Sequence, residues 1–223
     1  MIVAIDGPSG AGKSTVAKAV AKELGFSCLD TGAMYRAIAW QALQNGVALD
    51  DEPALGEIAR TYDIAFGHVE GDPVPRRVFI GDTEVTDAIR TAEIDRAVSP
   101  VSAAPAVREA LLDQQRRIGN AGDYVVEGRD IGTVVFPDAA VKVFLTASDE
   151  ERAHRRVRQN ADRGIGSIDY DEVLADLRRR DAADSSRATA PLRAADDAVR
   201  IDSTSHYIEE VIEQICSLAR EAR

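Results

Sequence analysis

Eight residues near the amino terminus have the types and the spacing that bind a polyphosphate. Gly7-Pro8-Ser9-Gly10-Ala11-Gly12-Lys13-Ser14 fits the pattern G-x-x-x-x-G-K-S, and Thr15 follows it. Glycines let the backbone curl so that its N–H groups point inward at an anion, and the next helix adds its N-terminal dipole. The lysine offers a mobile positive charge to the β- and γ-phosphates, and the serine offers a hydroxyl to Mg²⁺. We therefore expect residues 7–15 to bind a nucleoside triphosphate, with Ser14 at its Mg²⁺.

The elements around this loop are those that must position it. The apolar run Ile2-Val3-Ala4-Ile5 precedes the loop, and apolar side chains recur at helical spacing over residues 16–24 until Gly25. Strand, glycine loop and helix in this order are the context that a P-loop requires. A glycine-rich turn that ends in Lys-Ser by chance is the less favoured interpretation, because it would not need both flanking elements.

Strands and helices alternate along the rest of the chain, which predicts an α/β fold. Strands are expected at 27–29, 124–126, 141–145 and 198–201, and helices at 32–43, 105–118, 148–163, 169–182 and from about 205 onward. Short segments at 62–66, 77–80 and 83–85 have an antiparallel pattern with the turn Gly81-Asp82 between two of them. They predict an inserted lobe at about residues 60–98.

Charge and composition exclude some classes of function. The 223 residues are 45% hydrophobic and carry a net charge of −11, which argues against a general nucleic-acid-binding protein. Only four of the 27 Lys and Arg residues are lysine. Arginine recognises phosphate through two parallel hydrogen bonds, although a GC-rich genome would produce the same bias. Composition alone leaves these two explanations open.

Cysteine usage and hydropathy predict the cellular compartment of the protein. Cys28 and Cys216 have no metal-type spacing and are expected to be buried thiols in a reducing cytosol. The chain begins directly with a strand and has no apolar stretch of membrane-spanning length. We expect a cytoplasmic protein without a membrane or nucleic-acid partner, and a monomer because no apolar surface patch is evident.

The end of one predicted strand narrows the class of P-loop protein. None of Asn45, Asn120 and Asn160 precedes a lysine, so the guanine-binding segment of a GTPase is lacking. The strand at 124–126 leads into Glu127-Gly128-Arg129-Asp130. Acids that alternate around an arginine suit a second anionic substrate better than a lone water. This pattern favours a phosphotransferase.

Four segments together resemble the bacterial cytidylate kinases. They are Asp6 to Ser14, Asp30-Thr31-Gly32-Ala33-Met34-Tyr35-Arg36, Glu127 to Asp138, and Asp181-Ala-Ala-Asp184-Ser-Ser-Arg187. The resemblance runs in order over essentially the whole chain. It implies the P-loop nucleoside monophosphate kinase fold, in which a five-stranded parallel core carries an inserted lobe on the acceptor side and a helical lid. The corresponding ranges would be a core of about 1–59, 99–148 and 186–223, a lobe of 60–98 and a lid of 149–185.

The resemblance also implies roles for individual residues. Lys13, Arg129, Arg180 and Arg187 would be catalytic, because transfer between two phosphates requires that their charges be neutralised. Arg36, Arg129 and Arg187 would hold the acceptor's α-phosphate, and Arg180 and Asp184 its ribose. Ser99, Arg108 and Asp130 would read cytosine, and Thr31 and Tyr35 would complete the acceptor site.

The implied activity is ATP-dependent phosphorylation of CMP and dCMP, with Mg²⁺ accompanying the nucleotide. Two alternatives stay open. A kinase of the shikimate or gluconate type would need a hydroxyl acceptor and an acid that deprotonates it. A nucleotide-dependent switch would bind ATP with negligible turnover on any acceptor.

Several of these residues have a structural interpretation when each is taken alone. Ser99 could cap a helix before Pro100, Tyr35 could fill the core, and Arg108 could lie exposed on an amphipathic helix. Arginines on the predicted lid helix either reach the transferred phosphoryl group or pair with Glu150 and Glu151 on the helix surface. These arginines are Arg152, Arg155, Arg156 and Arg163.

Overall fold

A computed structural model describes residues 1–223 and has a five-stranded parallel sheet at its centre. Its strands are β1 (Ile2–Asp6), β2 (Ser27–Asp30), β6 (Tyr124–Gly128), β7 (Val141–Thr146) and β8 (Val199–Asp202). Their order across the sheet is β2-β6-β1-β7-β8. The predicted α/β fold class is confirmed, and β1 lies in the middle of the sheet because apolar residues cover both of its faces.

Eight α-helices surround this sheet and none is long and apolar enough to cross a membrane. They are α1 (Lys13–Leu24), α2 (Thr31–Gln44), α3 (Glu52–Thr61), α4 (Ala92–Ala103), α5 (Pro105–Gly119), α6 (Asp149–Arg163), α7 (Tyr170–Ser186) and α8 (Ile208–Glu221). A 3-10 turn at Ala88–Arg90 and a π-helical turn at Ile131–Val135 complete the list. The last helix therefore begins three residues later than the sequence predicts.

A second, antiparallel sheet lies in the range predicted for the inserted lobe. It consists of β3 (Ile64–Gly67), β4 (Arg77–Ile80) and β5 (Thr83–Glu84) in that order. The buried Ile64, Val78 and Ile80 join the same apolar core as α2, α3 and α5. Removal of this apolar surface from water attaches the small sheet to the main body.

Two helices differ from what the sequence predicts. Helix α3 is absent from the sequence predictions. Pro53 lies in its first turn, where proline is tolerated, but Gly56 lies in its interior, where glycine is disfavoured. A Cβ on Gly56 would lie 2.7 Å from the Cβ of Ala106 on α5, so only glycine allows the two helices to pack this closely. Helix α4 runs through both Ser99 and Pro100, and the interpretation of Ser99 as an N-cap is therefore wrong.

Helices α6 and α7 have a small apolar cluster of their own. It contains only three buried residues, Ala153, Val173 and Leu177, with partly buried neighbours around them. The larger cores lie elsewhere, one under α2, α3 and α5 and the other under α1 and α8. Few buried apolar contacts make this helix pair the least firmly packed part of the fold.

Candidate active site

The glycine loop follows the carboxyl end of β1 and leads directly into α1. Gly10 and Gly12 have φ of 79° and 91°, and α1 begins at Lys13. Gly7 is required for another reason, since a Cβ there would lie 2.0 Å from the carbonyl oxygen of Leu145 on β7. Residues 9–15 line a cavity of about 700 Å³, while Gly7 and Pro8 lie outside its wall. The loop thus has the geometry of an anion cradle at a helix N-terminus.

Two opposite charges are buried beside this loop. Burial, reinforced by the positive charge of Arg129, lowers the pKa of Lys13 below its ordinary value. Burial, reinforced by Asp30, raises the pKa of Glu127. The Lys13 ammonium donates to the carbonyl oxygen of Pro8 at 2.7 Å. Desolvated in this way, the lysine would be stabilised by a polyphosphate that enters the cavity.

Ser14 and Glu127 form a pair of oxygen ligands next to Lys13. The Ser14 hydroxyl donates to Oε2 of Glu127 at 2.8 Å, and Oε1 of the same carboxylate is buried without a hydrogen-bond partner. An unpartnered buried carboxylate oxygen is costly unless a cation or a water approaches it. Oxygen ligands of this kind are those that Mg²⁺ prefers.

Asp6 fixes the segment that follows β6. Its two carboxylate oxygens accept hydrogen bonds from the backbone N–H groups of Ile131 and Gly132, each at 2.7 Å. Burial raises the pKa of Asp6 to about 6 in spite of these hydrogen bonds. Because Arg129 and Asp130 immediately precede the bonded residues, Asp6 sets the position of both side chains.

Four arginines from three parts of the chain line the same cavity as the loop. Arg36 comes from α2, Arg129 follows β6, Arg180 lies on α7, and Arg187 follows α7. Burial and the neighbouring charges of Arg129 and Arg36 lower the pKa of Arg180 to about 10. Bringing several guanidinium groups together is unfavourable because their positive charges repel one another. Such an arrangement is expected in a site that binds an anionic ligand.

Asp184 connects two of these arginines. Its carboxylate accepts from Nε of Arg129 at 3.0 Å and lies 3.3 Å from Nη2 of Arg187. Another nitrogen of Arg187 donates to the carbonyl oxygen of Ser102. The carboxylate therefore holds both guanidinium groups near the carboxyl end of β6.

A buried ion pair lies deeper in the cavity, between Arg108 and Asp130. Both side chains are 7% exposed, so the interpretation of Arg108 as a surface residue is wrong. Its guanidinium lies 5.4 Å from the ring centroid of Tyr35, which is buried and also lines the cavity. A desolvated donor and acceptor beside an aromatic ring can recognise a planar, hydrogen-bonding ligand.

Two predicted acceptor-site residues occupy the edges of this region. Thr31 lines the cavity, and its hydroxyl donates to the carbonyl oxygen of Glu127 at 2.8 Å. Ser99 does not line the cavity. One turn further along α4, Ser102 does, and its carbonyl oxygen accepts from Arg108 at 3.0 Å.

The arginines of α6 have three different environments. Arg152 is 3% exposed and donates to the carboxylates of Asp149 and Asp181. It also donates to the carbonyl oxygens of Ala147 and Ser9, and the bond to Ser9 stabilises the glycine loop. Arg155 pairs with Glu151 at 2.8 Å, as the surface interpretation expects, and also donates to Ser203. Arg156 instead crosses to α4 and pairs with Asp95. Arg163 lines the cavity near them.

Sequence reasoning missed part of the cavity wall. Asp95 pairs with Arg36 and Arg156 in this wall. The cavity is also lined by Ser203, His206, Ile208 and Val211, and the Ser203 hydroxyl donates to the carbonyl oxygen of Ala11 at 3.3 Å. The approach of the segment after β8 to the loop follows from strand order, since β8 and β1 both flank β7. No local sequence pattern marks Asp95.

Comparison with known proteins agrees with this geometry. The family model described as "Cytidylate kinase" matches residues 3–221. A protein named cytidylate kinase from Saccharophagus degradans is 48% identical over 220 residues, which are 99% of this chain and 97% of the relative. One from Pseudomonas aeruginosa PAO1 is 50% identical over 214 residues, 96% of this chain and 93% of the relative.

Two further comparisons concern a longer relative and a solved structure with a similar fold. A bifunctional pantoate ligase/cytidylate kinase from Trichormus variabilis is 50% identical over 214 residues, and this chain spans 40% of its length. The crystal structure of an uncharacterized protein from Eubacterium ventriosum has a TM-score of 0.53 at 12% identity, covering 100% of this chain and 99% of that one. That likeness shows a shared fold alone. From the match over nearly the whole chain, together with the close relatives of similar length, it follows that this chain belongs to the cytidylate kinase family.

Proposed function

We propose that the protein transfers the γ-phosphoryl group of ATP to the α-phosphate of CMP or dCMP and releases ADP with CDP or dCDP. One observation carries this proposal: the glycine loop, the four arginines and the buried Arg108–Asp130 pair all line a single cavity. Such a cavity can hold two polyanions end to end beside a site that reads a base. The names of the close relatives support the same reaction.

The donor side binds the triphosphate of ATP. Backbone N–H groups of residues 9–15 and the ammonium of Lys13 surround its phosphates. Ser14 and Glu127 would hold Mg²⁺, because the buried Oε1 of Glu127 has no other partner and both side chains offer oxygen. When bound, the cation neutralises phosphate charge and helps to orient the triphosphate.

The acceptor side neutralises and aligns a second phosphate. Arg36, Arg129 and Arg187 hold the α-phosphate, and Arg180 spreads positive charge toward the transferred group. The acceptor oxygen is already anionic, so no side chain has to remove a proton from it. Catalysis then rests on positioning and on charge stabilisation in a cavity that excludes water.

The base site selects cytosine through Asp130. A carboxylate accepts a hydrogen bond from the exocyclic amino group of cytosine, whereas uracil presents a carbonyl oxygen at that position. Arg108 donates to the acceptors of the base and pairs with Asp130. A buried polar group that the wrong base leaves unpaired rejects that base strongly. Thr31 would contribute a hydroxyl, and Asp184 with Arg180 would hold the ribose.

We assign the remaining parts of the chain to closure around the substrates. Residues 149–185 act as the lid and residues 60–98 as the acceptor-side lobe, attached to the core formed by the rest of the chain. Both move to exclude water when the two nucleotides are bound. The enzyme acts as a monomer in the cytoplasm on small nucleotides, without nucleic acid.

An ADP-release assay with CMP, dCMP, UMP, AMP and GMP tests the proposed function. CMP and dCMP should be turned over far better than the other acceptors. Replacing Asp130 with Asn should lower kcat/KM for CMP by about 100-fold or more, because the amide oxygen is a weaker acceptor than the carboxylate and the buried Arg108 loses its charged partner. Asp138→Asn is the matched control, since it makes the same change at an exposed residue of the same segment.

Strong turnover of AMP or UMP without turnover of CMP would refute the cytosine preference but leave the kinase intact. Binding of ATP without ADP release on any acceptor would refute the kinase.

A further inference from the structure

Asp95 is a carboxylate placed where the cavity is otherwise prepared for an anion. It lies on α4, and its two oxygens serve two different elements. Oδ1 accepts from Nη2 of Arg36 on α2 at 2.5 Å, and Oδ2 accepts from Nη2 of Arg156 on α6 at 2.6 Å. All three side chains are about one quarter exposed and line the cavity.

The surroundings of Asp95 are strongly positive. Arg163 and Arg180 face the same part of the cavity as its two partners. Although burial opposes it, the charges of Arg36 and Arg156 lower the pKa of Asp95 below its usual range. The side chain is therefore a fixed negative charge within the group of arginines that would hold a phosphate.

Arg36 has little freedom while this carboxylate is bound. Its Nη1 donates to the carbonyl oxygen of Ile89 at 3.1 Å, and its Nη2 is taken by Asp95. A phosphate that bound the remaining N–H groups of Arg36 would lie next to this carboxylate, and the two anions would repel each other. If the carboxylate released Nη2, Arg36 would gain the doubly charged phosphate as a stronger acceptor.

We infer that Asp95 is a resident anion that competes with the acceptor's phosphate for Arg36 and thereby sets the affinity for the acceptor. This inference rests on the proposed function of the cavity. Because the other oxygen binds Arg156, Asp95 can release Arg36 and remain partly neutralised. The carboxylate then still links α4 to the lid helix α6 through Arg156, while the phosphate binds Arg36 on α2 in its stead.

The competition makes a prediction that a simple structural role does not. If Asp95 only held Arg36 in a useful orientation, its removal would weaken binding of the acceptor. If it competes, removal of its charge strengthens binding of every ligand that carries a phosphate and leaves unphosphorylated ligands unaffected. The two roles therefore differ in the sign of the effect.

Isothermal titration calorimetry of CMP and of cytidine, without ATP, separates these cases. We expect Asp95→Asn to lower the Kd for CMP about fivefold, the effect of one partly exposed charge pair, and to leave the Kd for cytidine unchanged. In the ADP-release assay the KM for CMP should fall by a similar factor while kcat does not rise, because the gain lies in binding alone. Glu93→Gln is the matched control, since it removes the same charge from an exposed residue of the same helix.

Equal or weaker CMP binding by Asp95→Asn would overturn the inference, and so would an equal gain for cytidine. Asp95→Ala, compared in the same way, guards against an effect peculiar to asparagine, and a thermal melt shows whether each variant is folded. Inorganic phosphate as a second probe should also bind the variant more tightly than the wild type. If wild-type protein releases no ADP with CMP, the proposed function fails, whereas the phosphate titration still decides the role of Asp95.

Discussion

Three of the carboxylates that line the cavity pair with arginines. Asp130 pairs with Arg108, Asp95 with Arg36 and Arg156, and Asp184 with Arg129 and Arg187. Buried arginines repel one another, and these acids offset that repulsion before any phosphate arrives. At the scale of single residues, several arginines of the site are already paired with carboxylates, whereas Arg180 has no ion pair.

Asp184 consequently has two roles that one substitution can separate. Asp184→Ala should lower kcat/KM for both CMP and dCMP by about 10- to 100-fold, because Arg129 and Arg187 lose the carboxylate that holds them. If Asp184 also holds the 2′-hydroxyl, CMP should lose more than dCMP. Steady-state kinetics with both acceptors measures the two losses.

Asp176→Ala is the control for this prediction, since Asp176 pairs only with the exposed Arg179 on the same helix. Unchanged kinetics with dCMP would show that Asp184 does not position the arginines, and equal losses would remove the ribose role.

Among the elements, the end of β1 and the turn after β6 depend on each other. Asp6 terminates β1 and accepts two backbone hydrogen bonds from the π-helical turn at Ile131–Val135. The glycine loop starts at the next residue, and Arg129 lies just before the turn. One buried side chain therefore sets the distance between the donor site and the acceptor site.

Asp6→Asn tests this link. An asparagine can accept only one of the two hydrogen bonds, and its amino group would face the other N–H. We expect a loss of about 1–3 kcal/mol in the free energy of unfolding, together with a fall in kcat, because Arg129 and Asp130 shift. Chemical denaturation and the ADP-release assay measure the two effects, with Asp82→Asn as an exposed control.

The pH dependence of this variant follows from the pKa of Asp6, which burial raises from 3.8 to about 6. The folded protein holds the proton more tightly than the unfolded chain does, so the wild type loses stability as the pH rises from about 4 to about 6. Asparagine does not titrate. The difference in unfolding free energy between wild type and variant should therefore shrink over this range, by at most about 3 kcal/mol. A difference that grows with pH would contradict the assignment.

Over the whole molecule, one cavity joins parts of the chain that are far apart in sequence. Residues from the amino-terminal loop, from α4 and from the segment after β8 all line it. Helices α6 and α7 have only a small apolar cluster of their own, and polar contacts such as the hydrogen bond from Arg152 to the carbonyl oxygen of Ser9 and the ion pair of Arg156 with Asp95 connect them to the body. Ligands that bridge the cavity should therefore stabilise the protein as a unit.

Thermal melting with ligands tests this expectation. ATP with Mg²⁺, at about 100 times its Kd, should stabilise the fold by about 2.7 kcal/mol and raise Tm by about 5–10 °C. CMP should do the same at its own site. Lys13→Ala should abolish the shift with ATP and keep the shift with CMP, whereas the exposed Lys22→Ala on the same helix should keep both. Loss of both shifts in Lys13→Ala would argue against two separate sites in one cavity.

The sequence by itself determined the features that neighbouring residues encode. Strand β1, the glycine loop and α1 are contiguous, so apolar runs and glycines were enough to predict them together with the binding of a triphosphate. The alternation of strands and helices predicted the α/β fold in the same way. The resemblance of four motifs added the acceptor arginines and the base-reading pair, whose roles stay predictions.

Only the tertiary structure decided which charges meet and which unfavourable segments become helical. Helix α3 forms despite Gly56 because α5 packs against that glycine, and α4 continues through Pro100. Asp95 has no local signal, since its partners lie 59 and 61 residues away in sequence. Ion pairs and close packing depend on distances in space, and the order of strands in the sheet, rather than the spacing of residues along the chain, fixes those distances.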